Sequence, residues 1–237
     1  MCTEDDERIV RLLDQLDPPV SGAASAQPPI AFNGKTWREW TTGTPAEKVT
    51  RELTEQFAGG TISRADLRVL SDKTDDSFES QLRLLVATLM WGRGKRNGRM
   101  RNAIQGTLSN KRLAATLKAS RGAARASQPK DAYEAWGLPS GIRAAFFTKW
   151  LWSAGCTGES LVLRPLILDA RVSASLRELG WDGRRCAGSI RLGARYEAYV
   201  KACHRWASAL STSRRPVTAE DIEATLFKYN GRFPPAT

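Results

Sequence analysis

Apolar residues recur at helical spacing through most of the chain and almost nowhere alternate as in a strand. Ile9, Leu12, Leu13 and Leu16 predict a short amphipathic helix over residues 4–16, which Pro18 and Pro19 stop. Residues 18–29, rich in Pro, Ala, Ser and Gly, read as a linker or a loosely laid arm. Trp37 and Trp40 follow at helical spacing and are expected to anchor the arm's end in the core. Thr44, Pro45, Ala46 and Glu47 form a helix start, with Val49, Leu53 and Phe57 as its buried stripe and Gly59-Gly60 as its stop. Ser63 to Asp66 and Asp76 to Glu79 open two more, the second with a strong face of Phe78, Leu82, Leu85, Val86 and Leu89. Residues 100–125 look helical, with Ile104, Leu108, Leu113 and Leu117 inward, and residues 126–132 read as a polar connector. Val172, Leu176 and Leu179 mark a further helix. After a loop at 180–193, a longer one carries Tyr196, Tyr199, Val200, Cys203, Trp206, Ala207 and Leu210. Thr218 to Asp221 caps the last, which turns Ile222, Leu226 and Phe227 inward. One stretch, 161–168, reads as extended. The predicted fold class is all-α, without internal repeats.

A chain of 237 residues can bury a full core. The expected organisation is an N-terminal helix and linker over 1–31 and a helical domain over 32–237, compact or with two lobes. The longest apolar run, residues 84–91, is far too short to cross a bilayer, and the N-terminus is acidic where a secretory signal would be basic. A cytosolic, monomeric protein with no membrane partner is expected. Cys2, Cys156, Cys186 and Cys203 show no CxxC, and His204 is the only histidine. Reduced cysteines, no metal and no cofactor follow, and a Ser-His-Asp triad is improbable. Catalysis, if present, falls to lysine and carboxylates.

Charge sharpens this. The net charge is +11. Arg93, Lys95, Arg96, Arg99, Arg101, Lys111, Arg112, Lys118, Arg121 and Arg125 follow one another without an intervening Asp or Glu. Such a run serves as a solvated face or as a footprint for a polyanion. Its richness in arginine, whose fork suits phosphate, favours nucleic acid. Within it, the loop from Trp91 to Gly98 interleaves glycine with Arg, Lys and Asn, which lets backbone approach phosphate closely. A mobile surface loop is the plain alternative. The loop lacks the GxxxxGK[ST] pattern, which argues against nucleotide hydrolysis.

The stretch from residue 137 to 170 carries the candidate chemistry. A turn rich in Gly and Pro feeds a helix bearing Phe146, Phe147, Thr148 and Lys149, and the apolar Leu166, Ile167 and Leu168 lead to Asp169 at the start of another helix. A lysine nucleophile must be neutral, yet at its ordinary pKa only about one part in a few thousand is neutral at pH 7. Burial among Phe146, Phe147, Trp150 and Trp152 would lower that pKa. Asp169 reads either as the lysine's carboxylate partner or as an ordinary N-cap, and Lys149 either as a nucleophile or as a surface helix residue.

The order of these pieces resembles that of the helix-hairpin-helix DNA glycosylases: helix, basic loop, helix, a Leu-Pro-x-Gly-Ile turn, Thr148-Lys149, then Asp169 before Ala-x-Val. The likeness covers about residues 78–230, is nearest the 8-oxoguanine glycosylase branch and looks closest to stand-alone bacterial proteins of that fold, a type also associated with phage defence. The resemblance implies that Lys149 attacks the sugar of an extruded nucleotide with Asp169 assisting, and that double-stranded DNA carrying modified bases is the partner, at the nucleoid. It implies that Arg96 and Asn97 fill the gap left by the base, that Arg93, Lys95, Arg99, Arg101, Gly141 and Arg143 contact DNA, and that Phe146, Phe147, Tyr196 and Trp206 border the base pocket. Tyr196, Tyr199, His204 and Trp206 equally suit core packing. The family's Gly-x-Gly directly before Thr-Lys is altered here, because Gly141-Ile142 stands apart from Thr148. That departure and missing pocket residues lean the substrate toward a hypermodified phage base such as glucosylated 5-hydroxymethylcytosine, with 8-oxoguanine as the alternative. A non-catalytic DNA-binding module and an RNA-binding helical protein are the competing classes.

Overall fold

The computed structural model describes residues 3–16, 19–94, 100–137, 141–156 and 162–234. Among the described residues the fold is all-α. Its elements in order are α1 (Thr3–Asp14), β1 (Ile30–Ala31), α2 (Gly34–Thr41), α3 (Glu47–Gln56), β2 (Thr61–Ile62), α4 (Arg64–Asp72), α5 (Phe78–Arg93), α6 (Arg101–Leu108), α7 (Leu113–Arg125), α8 (Pro129–Ala135), α9 (Ala144–Gly155), α10 (Ala170–Glu178), α11 (Gly183–Ala187), α12 (Leu192–Leu210) and α13 (Ala219–Tyr229). None of these helices is long and apolar enough to cross a membrane.

Local chemistry sets many of the boundaries. Ser63 and Asp66 form a reciprocal capping box at the start of α4, and Thr218 and Asp221 do the same for α13. Glu47 reaches back to accept from the Gly43 N–H at 2.8 Å, one turn ahead of α3. α5 is capped by Ser77. The neighbouring Asp76 instead binds Arg121 at 2.6 Å, which removes Arg121 from the basic face and buries it.

Two helix boundaries differ from the expectation. The helical stretch 100–125 breaks between α6 and α7, where Asn110 Oδ1 accepts from the Arg112 N–H at 2.9 Å and forms an Asx turn. α8 begins inside the predicted connector 126–132, with Pro129 in its first turn. Residues 162–168 pair with no strand. The short ribbon is β1 with β2, antiparallel, matching Ile30 with Ile62.

The arm between α1 and β1 is held down along its length. Val20 and Ala24 are buried, the Ala24 N–H donates to Asp221 Oδ1 at 2.9 Å, and Gln27 accepts from Arg64 at 2.7 Å. α1 lies on α12, where Asp6 accepts from Trp206 and Arg205. Cys156 and Cys203 are free and buried, as a reduced chain requires. Cys186 departs from that expectation, being disulfide-bonded. It lies half-buried on the short α11, outside the core that shields the other two. The core is continuous. α9 runs through its middle against α5, α7 and α4, which is why nearly all of its side chains from Phe147 onward are buried.

Candidate active site

Lys149 points into the packed side of α9 and is only 7% exposed. Its stem rests on Gly92 near the end of α5, where a Cβ would stand 2.6 Å from Lys149 Cδ. Nζ donates to the Ala145 carbonyl at 2.8 Å and to Asp169 Oδ2 at 3.3 Å, with the Phe146 ring centre 5.4 Å away. Burial pushes the amine below the ordinary lysine range, and the charge of Asp169 opposes that shift.

Asp169 fills both roles that its sequence position allows. Oδ1 accepts from the N–H groups of Arg171 and Val172 at 3.0 and 3.1 Å and caps α10, while Oδ2 faces the lysine. The lead-in delivers it there because each residue is held by a side chain of α9 or α12. Tyr196 O–H bridges the Leu166 N–H and C=O at 3.1 and 2.7 Å, and Tyr199 O–H donates to the Ile167 C=O at 2.8 Å. Thr148 Oγ1 accepts from the Leu168 N–H at 3.1 Å and donates to Ala144 at 2.7 Å. Thr148 therefore ties the aspartate's segment to the lysine's helix one residue before the lysine itself.

The other predicted site residues divide. Phe146 lies beside the amine, whereas Phe147 turns into the hairpin and stacks on Trp136 at 5.6 Å. Tyr196 is fully buried with its hydroxyl engaged by Leu166, and Trp206 packs edge-on against Trp181 and donates to Asp6. Both support the scaffold. His204 Nε2 accepts from the Arg164 N–H at 3.2 Å, just before the lead-in. Arg93 lies over Trp40, with its guanidinium 5.5 Å from the ring. Arg101, at the start of α6, and Arg143, before α9, are exposed. Lys95, Arg96, Asn97 and Arg99 lie outside the described residues, as do Leu138, Pro139 and Ser140 of the hairpin.

The hairpin is clasped to α6. Gly141 has φ +117°, and a Cβ there would come within 2.1 Å of Thr107 Oγ1. The same hydroxyl accepts from the Ile142 N–H at 3.0 Å, so this backbone donor is already engaged inside the protein.

Behind the lysine lies a charged layer that periodicity alone did not signal. Glu223 of α13, at the solvent-free centre, accepts from Arg64 Nη2 at 2.6 Å, and Glu220 completes the group with Arg68. Burial pushes the Glu223 carboxyl up to about 7 against the pull of Arg64. A carboxyl raised from 4.5 to about 7 contributes stability that is complete below the lower value and is lost as pH rises through the upper one. Urea unfolding should show stability falling by about 3 kcal/mol across this window, and Glu223→Gln should flatten that slope. An unchanged slope in the variant would assign it elsewhere. Arg64, Glu223 and Gly92 join the site only through tertiary structure. The one sequence signal was a charged pair, Glu220 and Glu223, on the inward face of a capped helix.

The all-α frame, with a lysine and an aspartate facing each other in a desolvated site, is in keeping with the helix-hairpin-helix DNA glycosylase class. Residues 23–227 match the family described as "Putative 8-oxoguanine DNA glycosylase OGG-like protein", and the chain belongs to that family. Neither the comparison with curated proteins nor that with solved structures gave a match. The family brings a DNA glycosylase-like function, with DNA as the polymer acted upon.

Proposed function

We propose that the protein excises a modified base from duplex DNA through covalent catalysis by Lys149. The observation that carries this reading is the buried amine 3.3 Å from Asp169 Oδ2. The neutral Nζ adds to sugar C1′ as the glycosidic C–N bond breaks; its electron pair departs with the base, which takes up a proton. The Asp169 carboxylate offsets positive charge on the sugar and then on the nitrogen. Opening of the sugar ring leaves an imine, from which loss of the 3′ phosphate would nick the strand. Arg101, Arg143 and the basic loop supply the phosphate contacts.

8-Oxoguanine is the first substrate to expect, because the family description points to it. A hypermodified phage cytosine, and with it a defence role, is the second reading. It draws on the altered turn, where the Ile142 donor is taken by Thr107. Duplexes carrying 8-oxoguanine or glucosylated 5-hydroxymethylcytosine, incubated with the protein and analysed for free base by mass spectrometry, separate the two. Release of 8-oxoguanine alone supports repair, and release of the bulky cytosine alone supports defence. Binding without base release, and without borohydride trapping on an abasic site, would reduce the protein to a DNA-binding module.

A further inference from the structure

The cluster around Arg64 is costly to keep. Arg64 is 5% exposed, and its Nη1 has no hydrogen-bond acceptor among the described residues, the Glu220 carboxylate being 3.8 Å away. A buried ion pair of this kind is commonly no more stabilising than an apolar pair of the same volume. Its position suggests what it is for. The guanidinium carbon sits 4.8 Å from the ring of Trp152 and 5.5 Å from that of Trp91, and the two indoles stack at 5.6 Å. Trp91 precedes Gly92, on which the lysine stem rests, and Trp152 lies one helical turn beyond Lys149 on α9. Arg64 thus lies on the side chains of two residues carried by the segments that hold the nucleophile. Glu223 at 2.6 Å and Gln27 at 2.7 Å fix its orientation.

We propose that Arg64, clamped by Glu223 and Gln27 on the faces of Trp152 and Trp91, is a positioning residue for Lys149: a fixed buried cation that adds to burial in holding the amine ready for attack, with Glu223 offsetting part of its charge. This rests on the reading of Lys149 as the nucleophile. The charged groups that act on the amine come from three further elements, Asp169 before α10, Glu223 on α13 and Arg64 on α4. Burial is the largest influence and disfavours the protonated amine; Asp169 and then Glu223 oppose it, and the guanidinium adds a smaller push in the same sense as burial. Glu223 in turn faces Arg64, Glu220 and Asp169. Tyr196, Tyr199 and Cys203 of α12 also face Glu223, and burial keeps all three neutral by raising their pKa values. Lysine and glutamate therefore share one dry field, and altering either member of the Arg64–Glu223 pair shifts the lysine in opposite senses.

The test is the pH dependence of borohydride trapping on an abasic-site duplex, with folding followed by circular dichroism. Arg64→Met should move the acidic limb of the profile to higher pH and slow the reaction on that limb. Arg64→Lys should restore the wild-type position, and Glu223→Gln should move the limb to lower pH. A merely structural pair would lower melting temperature in every variant and leave the limb in place, and that result overturns the proposal. If Arg64→Met does not fold, the downward shift in Glu223→Gln decides alone. A wild-type protein that traps nothing would sink the nucleophile reading instead. Titration of the Lys149 side chain by carbon-13 NMR, its signal identified by its loss in Lys149→Arg, would then still show whether Arg64→Lys and Glu223→Gln shift the amine as stated.

Discussion

Lys149→Gln should leave duplex binding within about threefold of wild type and reduce trapping and base release by at least about a thousandfold, since an amide has no lone pair basic enough to attack C1′. Glutamine fits the space along the stem and keeps a donor for the Ala145 carbonyl, so the fold is retained. Asp169→Asn gives the finer comparison. Its side-chain oxygen can still cap α10 through the Arg171 and Val172 N–H groups, while the negative charge facing Nζ is gone. Excision should fall by about a hundredfold with a stability change under about 1 kcal/mol. If Lys149→Gln still forms the adduct, the nucleophile lies elsewhere.

Gly92→Ala should separate stability from activity. Alanine in a helix is favoured over glycine by about 0.5–1 kcal/mol, so melting temperature should hold or rise. The added methyl would stand 2.6 Å from Lys149 Cδ and 3.2 Å from Cε, and the flexible lysine, not the helix, must yield. Moving the stem takes Nζ off both Ala145 and Asp169. Trapping should drop by about ten- to a hundredfold without loss of DNA affinity, as measured by single-turnover kinetics beside equilibrium binding. Unchanged trapping would mean that the lysine has room the geometry does not show.

Much of the frame was legible because short-range chemistry decides it. The boxes at Ser63 and Thr218 act over three residues, and the inward face of α5 follows from its spacing alone. Lys149 and Asp169 stood out because chemistry without histidine or metal narrows the choices. The extended stretch forms no strand for a physical reason. Residues 162–168 have the apolar character of a strand, but their backbone groups are taken by the side chains of His204, Tyr196, Tyr199 and Thr148 instead of a neighbouring strand. Arg121 looked like one more cation of the basic run until Asp76 claimed it from outside that run. The Arg64–Glu223 pair joins residues 159 positions apart, and no local pattern encodes such a meeting.

The clasp between Thr107 and the hairpin bears on how the molecule meets its polymer. The basic segment 95–99 lies in sequence between α5, whose Gly92 seats the lysine, and α6, whose Thr107 holds Ile142 at 3.0 Å. Both flanking helices, α5 and α6, are thus fastened to parts that serve α9. A change at Thr107 would therefore reach the lysine's helix from a residue that touches neither Lys149 nor Asp169.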